Sequence, residues 1–240
     1  MITLLTFPPS FGCPSHSPYC VKAMSLLTMA GEAWTPEYFE RPAEMPYGKL
    51  PVIRVDGALL PDSGRIQAFL ETRGADFHPG LTALQKATAR AFQRLAEENL
   101  SLGLVHERWM NDDCWVRVRD IFFASIPEVQ RVAVTDDIRN QVRTGMLAHG
   151  FSRMNDADRL ALMQEDLAAI EALLWDGPFL FGDRPTAADA SVVPFLDMLS
   201  TLPGASPLAD LVKGNARLMA YVAAGRAAMY PEMQALQAAG

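Results

Sequence analysis

Side chains suited to thiol chemistry lie just after the first apolar segment of the chain. Ser17 and Cys20 stand three positions apart in the sequence Ser-Pro-Tyr-Cys, and Cys13 precedes them. A hydroxyl group can donate a hydrogen bond to a thiolate, whereas a cysteine thiolate is itself a nucleophile that exchanges with disulfides. The residues alone therefore leave two chemistries open. Either Ser17 stabilises a bound thiolate, or Cys20 or Cys13 attacks a disulfide.

The neighbouring elements place this stretch at the start of a helix. Residues 2–7 form a short apolar run that predicts a buried strand, and apolar residues then recur at helical spacing up to Gly31. Ser17 suits the N-cap position and Pro18 suits the first helical position. The backbone N–H at that position has no partner within the helix, so proline loses no hydrogen bond there. Gly31 suits the left-handed residue that closes a helix. The positive end of this helix would stabilise an anion such as a thiolate.

The segments that follow predict a small mixed sheet. Residues 34–39 are rich in aromatic side chains, and Pro36 within them indicates an edge strand or a strand start. Asp56-Gly57 separates two apolar runs and is the preferred two-residue turn of a β-hairpin. Asp62-Ser63 then opens a further helix. The order strand, helix, strand, hairpin and helix predicts a three-layer α/β arrangement around the sheet.

From about residue 82 onward the pattern predicts helices alone. Apolar residues keep a helical spacing over 84–106, 115–123 and 160–174. Thr186 and Asp189 then have the spacing of a capping box, with Asp in the position that Glu usually takes. The second part of the chain is therefore predicted to be all helical.

Three motifs in the first part resemble those of the glutathione transferase superfamily. Ser17-Pro18-Tyr19-Cys20 stands where glutaredoxins carry Cys-Pro-Tyr-Cys and omega-type transferases carry Cys-Pro-Phe. Leu50-Pro51-Val52 resembles the cis-proline turn of that family, and Asp62-Ser63 resembles the pair that holds the γ-glutamyl group of glutathione. The segment from Phe179 to Asp189 resembles the capping box of the family's helical domain.

The resemblance implies two domains. Residues 1–76 would form a thioredoxin-like α/β domain of the β-α-β-α-β-β-α type that binds glutathione. Residues 82–240 would form an all-α C-terminal domain that contributes the electrophile pocket. Within the superfamily, the long loop at residues 8–14 looks like that of the bacterial relatives of failed-axon-connections and metaxin proteins.

The resemblance also implies the residues of a glutathione site. Asp62 and Ser63 would hold the γ-glutamyl group, and Val52 would present its backbone N–H and C=O to the cysteinyl unit across a cis Pro51 turn. Lys49 could pair with the glycyl carboxylate or simply be solvated. Because an Asp-Ser pair is also a common N-cap, the glutathione interpretation depends on its combination with the proline turn.

Ser17 is the expected catalytic residue, because its hydroxyl would stabilise the glutathione thiolate. A fall in the thiol pKa of about two units requires about 2.7 kcal/mol. A hydrogen bond to a charged acceptor contributes about 1.5–3 kcal/mol and a helix N-terminus about 0.3–1 kcal/mol. The two together can hold a thiolate at neutral pH. The alternative is that Ser17 serves as an N-cap alone, although one hydroxyl can fill both roles.

The electrophile pocket is expected between the two domains. Its candidate lining residues are large side chains near the predicted cleft: Phe11, His106, Trp109, Met110 and Trp115. The resemblance implies a small hydrophobic electrophile as the second substrate and a two-fold homodimer as the assembly. No metal or nucleotide motif is present in the sequence, so glutathione is the sole expected cofactor, as a co-substrate.

Two other functions remain open at this point. The fold could be retained as a non-catalytic binding or assembly module of metaxin-like type. Alternatively, the chain could be a glutathione-dependent thiol reductase or peroxidase that uses Cys20 or Cys13. Cys20 takes the place of the second, less exposed cysteine of the glutaredoxin motif, which favours core packing, and Ser17 removes the partner that dithiol chemistry needs.

Composition and charge narrow the class of protein. The chain has 240 residues with 28 acidic and 21 basic side chains, so it lacks the basic footprint that nucleic-acid binding requires. Apolar runs are too short for a membrane span, and the first residues have no basic start or cleavage site of a secretory signal. The three cysteines are odd in number and unevenly spaced, which is typical of cytosolic thiols. A cytoplasmic protein without nucleic-acid or membrane partners is expected.

Overall fold

The N-terminal part of the chain forms a four-stranded mixed sheet. The computed structural model describes residues 1–174 and 177–230. The strands are β1 (Ile2–Thr6), β2 (Trp34–Tyr38), β3 (Val52–Val55) and β4 (Ala58–Pro61). They lie in the order β2-β1-β3-β4, with β1 parallel to β2 and antiparallel to β3, and β3 antiparallel to β4. Strand β2 is at the edge, as Pro36 predicts, because proline cannot donate to an inner ladder.

Two helices accompany this sheet, α1 (Pro18–Met29) and α2 (Ser63–Thr72). The hairpin turn is confirmed, since Asp56 and Gly57 have φ of 49° and 82° and this turn requires positive φ at both central residues. Between β2 and β3 the chain makes two 3₁₀ turns, Pro42–Glu44 and Pro46–Gly48, where the thioredoxin-like pattern has its second helix. Two prolines four positions apart prevent a continuous helix there.

The rest of the described chain is helical. It comprises α3 (Ala83–Arg94), a π-helical turn (Leu95–Leu100), α4 (Ser101–Trp109), α5 (Asp112–Phe122), α6 (Glu128–His149), α7 (Asp156–Leu173), α8 (Ala187–Ser200), α9 (Pro207–Gly214) and α10 (Ala216–Met229). The predicted helices over 84–106, 115–123 and 160–174 correspond to α3–α4, α5 and α7, whereas α6, α9 and α10 were not predicted by the spacing. Among the described residues, no helix is both long and apolar enough to cross a membrane.

The domain limits 1–76 and 82–240 stay a prediction. The last helix associated with the sheet ends at Thr72, and the first helix of the helical part begins at Ala83. Residues 231–240 of the predicted helical domain lie outside the described residues.

Helix α8 is the centre of the main core. Its residues 187–199 are all buried, and it packs against α1, α3 and α10. The core therefore joins the sheet-bearing part of the chain to the helical part. One of its two buried carboxylates, Asp197, contacts the guanidinium of Arg226 and accepts a hydrogen bond from Tyr230 at 3.0 Å.

The predicted capping box at the start of α8 is confirmed. Asp189 is fully buried and accepts hydrogen bonds from the backbone N–H of Thr186 at 2.7 Å and from its hydroxyl at 2.8 Å. It also accepts bonds from the N–H of Leu180 at 2.9 Å and the hydroxyl of Tyr221 at 2.8 Å. One carboxylate thus ties α8 to the preceding loop and to α10.

We expect both Thr186→Ala and Asp189→Ala to destabilise the protein and to leave glutathione binding intact. Loss of the Thr186 cap costs about 0.5–2 kcal/mol. Asp189→Ala costs more, because it leaves buried donors unpaired at about 1–3 kcal/mol each. Urea denaturation measures both losses. Thr82→Ala, at the exposed capping box of α3, is the matched control and should cost less. Unchanged unfolding midpoints in both α8 variants would contradict the assigned role of this motif.

Candidate functional site

The site begins at the start of α1, where Ser17 occupies the N-cap position. Its backbone is extended, with φ of −110° and ψ of 125°, and Pro18 follows as the first helical residue. The Ser17 side chain caps no backbone N–H and lies within hydrogen-bonding reach of the Cys20 thiol. A hydroxyl that accepts from a thiol can still donate its own proton. An N-cap role alone therefore does not explain why a hydroxyl-bearing side chain stands at position 17.

The three cysteines are buried free thiols. Burial raises the pKa of Cys20, although the nearby hydroxyls of Thr6, Ser15 and Ser17 favour its thiolate. Burial also raises the pKa of Cys13, to about 12. Reactive cysteines are partly exposed and have lowered pKa values, so neither thiol has the surroundings of a nucleophile.

A cleft with a volume of about 520 Å³ lies beside the start of α1. It brings together four of the residues expected at a glutathione site, which are Lys49, Pro51, Asp62 and Ser63. Residues from the helical part form its opposite wall. The cleft is therefore built from two parts of the chain that are distant in sequence.

The turn before β3 forms one edge of this cleft, and its Leu50–Pro51 peptide bond is cis. Leu50 lines the cleft with Pro51, whereas Val52 is completely buried in β3 between Leu5 and Pro61. Val52 is therefore not among the residues that line the cleft, and the role expected of its backbone N–H and C=O stays a prediction. The backbone N–H and C=O of Leu50 have no backbone partner among the described residues.

Asp62 and Ser63 lie opposite this turn, at the start of α2. Asp62 has a φ of 78°, and its side chain accepts hydrogen bonds from the N–H groups of Gly64 at 2.9 Å and Arg65 at 3.1 Å. Its own N–H donates to the carbonyl of Pro51 at 3.1 Å, which ties the helix start to the proline turn. Ser63 is the first residue of α2 and is 4% exposed. Asp62 is thus an N-cap, and Ser63 lies at the positive helix end.

The opposite wall comes from the π-helical turn, which the sequence did not reveal. The hydroxyl of Tyr19 donates to the carbonyl of Glu97 at 2.6 Å and lies 3.2 Å from the Ser101 hydroxyl. The Glu97 carboxylate forms a buried ion pair with Lys22 and accepts from the Ser191 hydroxyl at 2.9 Å. These contacts hold the turn against the start of α1.

Charges of both signs line the cleft. The cations are Lys49, Arg90 and Arg94, and the anions are Asp62, Glu97 and Glu98. Except for Lys49 and Asp62, sequence reasoning missed these residues and Tyr19. The charged cleft residues of the helical part could have been found from their spacing. Arg94 pairs with Glu97 and Glu98, which follow it by three and four positions on the helix.

The five residues proposed for the electrophile pocket do not converge in one place. His106 and Met110 line a separate cavity of about 670 Å³ among α4, α7 and α9. Trp109 and Trp115 pair with ring centroids 5.1 Å apart, and Trp115 is almost fully buried. Phe11 instead contacts Phe122 of α5, with centroids 5.9 Å apart. His106 and Met110, four positions apart, share one helix face, whereas Trp109 lies on another, and large side chains alone did not distinguish the two faces.

An aromatic cluster covers the loop that precedes Ser17. The imidazole of His16 stacks on Phe122 at a centroid distance of 4.1 Å and on Phe7 at 6.0 Å. The guanidinium of Arg108 lies 5.3 Å from the centroid of Phe122 and donates to the His16 carbonyl at 2.7 Å. Helices α4 and α5 thus pack on the loop beside Ser17. Sequence reasoning missed His16, Arg108 and Phe122.

Burial sets the protonation state of this cluster. It lowers the pKa of His16 to about 4, with the nearby Arg108 cation acting in the same direction. Burial likewise lowers the pKa of Arg108 to about 10. His16 is therefore neutral at physiological pH.

Among the described residues, no three His, Cys, Asp or Glu side chains form a group that could hold a metal ion.

Family models identify the class of protein that carries this site. A model of the glutathione S-transferase N-terminal domain matches residues 18–114, and a model of the glutathione S-transferase C-terminal domain matches residues 142–224. The chain belongs to the glutathione S-transferase family. The resemblance inferred from the motifs is therefore confirmed.

Individual relatives agree with this assignment. The chain is 30% identical over 211 residues to an isoprene-epoxide–glutathione S-transferase from Rhodococcus sp. (strain AD45), covering 85% of this chain and 88% of that protein. It is 24% identical over 178 residues to Metaxin-2 from Homo sapiens, covering 73% and 68%. The fold matches glutathione transferase F7 from Populus trichocarpa with a TM-score of 0.61 and 14% identity over 98% of each chain.

We expect the stability of the protein to rise with pH between about 4 and 6.5. His16 binds its proton near pH 4 in the folded state but near 6.5 when unfolded, so the unfolded chain holds more protons in this window. The difference corresponds to about 3 kcal/mol. His106, whose pKa burial also lowers to about 4, contributes with the same sign.

Urea denaturation at several pH values measures this slope. His16→Phe keeps an aromatic ring in the stack but removes the titrating group, so it should make the slope shallower. His149→Phe, at the exposed end of α6, is the control and should leave the slope unchanged. An identical slope in the wild type and in His16→Phe would contradict the assignment.

Proposed function

We propose that the chain is a glutathione transferase that joins the glutathione thiolate to a hydrophobic electrophile, with Ser17 stabilising the thiolate. The observation that carries the proposal is the cleft that unites Lys49, Asp62 and Ser63 beside the start of α1. The name of the Rhodococcus relative, an isoprene-epoxide–glutathione S-transferase, supports the same reaction class.

The charges of the cleft are complementary to glutathione, which carries two carboxylates and one ammonium group. The γ-glutamyl carboxylate would accept hydrogen bonds at the start of α2, where Ser63 offers a hydroxyl and the helix end is positive. Lys49 would pair with the glycyl carboxylate. Asp62, next to Ser63 in the cleft, would supply the negative charge that the ammonium group requires.

The backbone of Leu50 would bind the cysteinyl unit, in the role first expected of Val52. Its N–H and C=O have no backbone partner among the described residues and stand at the cleft edge. An extended ligand can pair with such groups as an added strand does. This pairing would direct the sulfur toward the start of α1 and Ser17.

Stabilisation of the thiolate combines two electrostatic effects. The Ser17 hydroxyl donates to the sulfur, and the dipole of α1 gives its N-terminal end a positive field. The thiolate then attacks the electrophilic carbon, and the leaving atom takes the electron pair of the broken bond. Both effects favour the thiolate over the neutral thiol, so they raise the fraction of reactive nucleophile at neutral pH.

A second candidate function is a non-catalytic glutathione-binding or assembly module. The likeness to Metaxin-2 is the observation that favours it. Binding of glutathione without turnover of any electrophile would support this alternative. The thiol reductase or peroxidase is disfavoured by the burial of Cys20 and Cys13 and their raised pKa values.

Two further parts of the proposal are a two-fold homodimer and a cytoplasmic location. Sedimentation velocity of the purified chain distinguishes a monomer from a dimer. Fractionation of the source cells, followed by detection of the chain, tests the location.

We expect Ser63→Ala to weaken glutathione binding by about tenfold or more. The hydroxyl is proposed to donate to a charged carboxylate, and such a bond contributes about 1.5–3 kcal/mol. Calorimetric titration with glutathione measures the dissociation constant. Thr144→Ala, on the exposed face of α6, is the control and should leave binding unchanged. Equal affinity of Ser63→Ala and the wild type would remove Ser63 from the site.

We expect Ser17→Ala to raise the pKa of bound glutathione and to lower conjugation at neutral pH. The loss should shrink as pH rises, because solvent then deprotonates the thiol without help. Cys20→Ala should leave conjugation nearly intact apart from a packing cost. Thiolate absorbance against pH and rates with an electrophile and a mixed disulfide are the measurements. Loss of activity in Cys20→Ala but not in Ser17→Ala would overturn the transferase mechanism in favour of the reductase.

A further inference from the structure

A second cavity lies in the helical part of the chain, among α4, α7 and α9. Its volume of about 670 Å³ is within the range of pockets that hold small organic ligands. Helix α4 separates this cavity from the cleft, because Ser101 lines the cleft and the residues on the opposite face of the helix line the cavity: Gly103, His106, Glu107 and Met110. Among the described residues, none lines both sites. A ligand in the cavity would therefore leave the cleft free for glutathione.

The inner wall of the cavity is apolar. It consists of side chains from α4, from the turn after α6, and from α7 and α9: Met110, Phe151, Leu160, Met163 and Leu208. Phe151, Met163 and Leu208 are almost fully buried. Gly103 lets α4 approach these residues closely, since a Cβ at this position would lie 2.8 Å from the sulfur of Met163. This inner wall suits the apolar body of a ligand.

Carboxylates dominate the charged groups that line the cavity. Among the described lining residues, four are acidic and one is a strong base: Glu107, Asp113, Asp156, Asp210 and Arg159. Arg159 forms an ion pair with Asp156. Asp210 pairs at 3.2 Å with Lys213, which is not one of the lining residues. Two of the four carboxylates therefore already have a cation of this chain as partner.

Glu107 and Asp113 differ from those two, because neither has a cationic partner among the described residues. The Glu107 carboxylate is partly buried and accepts a hydrogen bond from the side-chain amide of Asn111 at 3.0 Å. Asp113 donates its backbone N–H to Asn111 at 3.0 Å, and its carboxylate accepts no hydrogen bond among the described residues. Burial of a charge is unfavourable unless the charge is paired. A cation that enters the cavity would supply the missing partner.

Two neutral polar side chains, of His106 and Ser206, line the same cavity. Nδ1 of His106 lies 2.9 Å from the Ser152 hydroxyl, and its Nε2 has no hydrogen-bond partner among the described residues. Burial lowers the pKa of His106 to about 4, with Arg159 acting in the same direction, so the ring is neutral at pH 7 and does not repel a cation. Ser206 is 2% exposed; its hydroxyl accepts from the N–H of Ala209 at 3.0 Å and donates to no group among the described residues. Both side chains can therefore form a further hydrogen bond with a ligand.

We propose that this cavity binds a small organic cation, namely a protonated amine with an apolar or aromatic body. Its ammonium group would pair with Glu107 and Asp113, and its apolar body would lie against the inner wall. An anion of the same shape would be repelled by the carboxylates. A wholly apolar ligand would leave both carboxylates unpaired. This binding site is separate from the cleft, so it does not depend on the proposed transferase function.

Three probes with the same apolar body and different charges test the proposal. At pH 7, 4-phenylbutylamine is a cation, 4-phenylbutanol is neutral and 4-phenylbutyrate is an anion. We expect calorimetry to give the amine a dissociation constant about fivefold or more below that of the alcohol, and 4-phenylbutyrate the weakest binding of the three. Equal affinities for the amine and the alcohol would overturn the inference. Tighter binding of 4-phenylbutyrate, or no binding of the amine, would overturn it as well.

Charge-removing variants test whether the amine binds beside the two carboxylates. Glu107→Gln keeps the shape of the side chain and removes its charge, so it should lower the affinity for the amine severalfold and leave that for 4-phenylbutanol nearly unchanged. Glu165→Gln, exposed on α7 and outside the set of lining residues, is the matched control and should change neither affinity. Undiminished amine binding in the double variant Glu107→Gln and Asp113→Asn would contradict the proposed pairing.

A cavity-filling variant locates the apolar body of the probe. Ala157 is an exposed lining residue at the start of α7, and Ala157→Trp should abolish binding of both the amine and the alcohol. Ala168→Trp, also exposed on α7 but not a lining residue, is the matched control and should leave both affinities unchanged. Amine binding that persists in folded Ala157→Trp would place the probe elsewhere and overturn the inference. The Glu107→Gln titration decides the proposal even where Ala157→Trp does not fold.

Discussion

The candidate site depends on the buried ion pair between Lys22 and Glu97. Lys22 lies one turn after the start of α1 and its side chain is 1% exposed, while that of Glu97 in the π-helical turn is 10% exposed. A buried charge is tolerated only when it is paired, so each residue requires the other in place. The pair fixes the start of α1 against the helical part of the chain. The cleft between them keeps its width for this reason, and Tyr19 and Ser191 reinforce the same junction.

Buried polar groups at other places follow two opposite patterns. Asp189 accepts four hydrogen bonds, which is the pattern of a structural group. Arg108 and His16 keep unpaired polar atoms beside the start of α1. The same interior that satisfies Asp189 leaves these two unsatisfied, so a common packing defect does not explain them. Groups of the second kind are rare, because the great majority of buried polar groups in proteins are hydrogen-bonded.

Local sequence predicted most of the fold but only four of the fifteen residues that line the cleft. The turn at Asp56-Gly57, the capping box of α8 and the edge position of β2 each follow from the conformational limits of a few adjacent residues. Asp62-Ser63 and the proline turn were found because their motifs are local. Val52 was expected beside the ligand but is not among the residues that line the cleft, because its burial depends on how β3 packs and not on the local motif. Three of the five electrophile-pocket candidates lie outside any common cavity, since helical spacing does not tell a core face from a cleft face.

The sequence by itself determined the family, the positions of the strands and the residue types at the start of α1. These follow from motifs in which each residue acts on neighbours within a few positions. Only the tertiary structure decided that Glu97 and Arg94 line the cleft with Lys49, and that Arg108 lies buried beside His16 with no counter-ion among the described residues. Such contacts join residues about fifty to ninety positions apart along the chain, and their energies depend on burial. Burial is a property of the packed molecule, so no local pattern could have specified it.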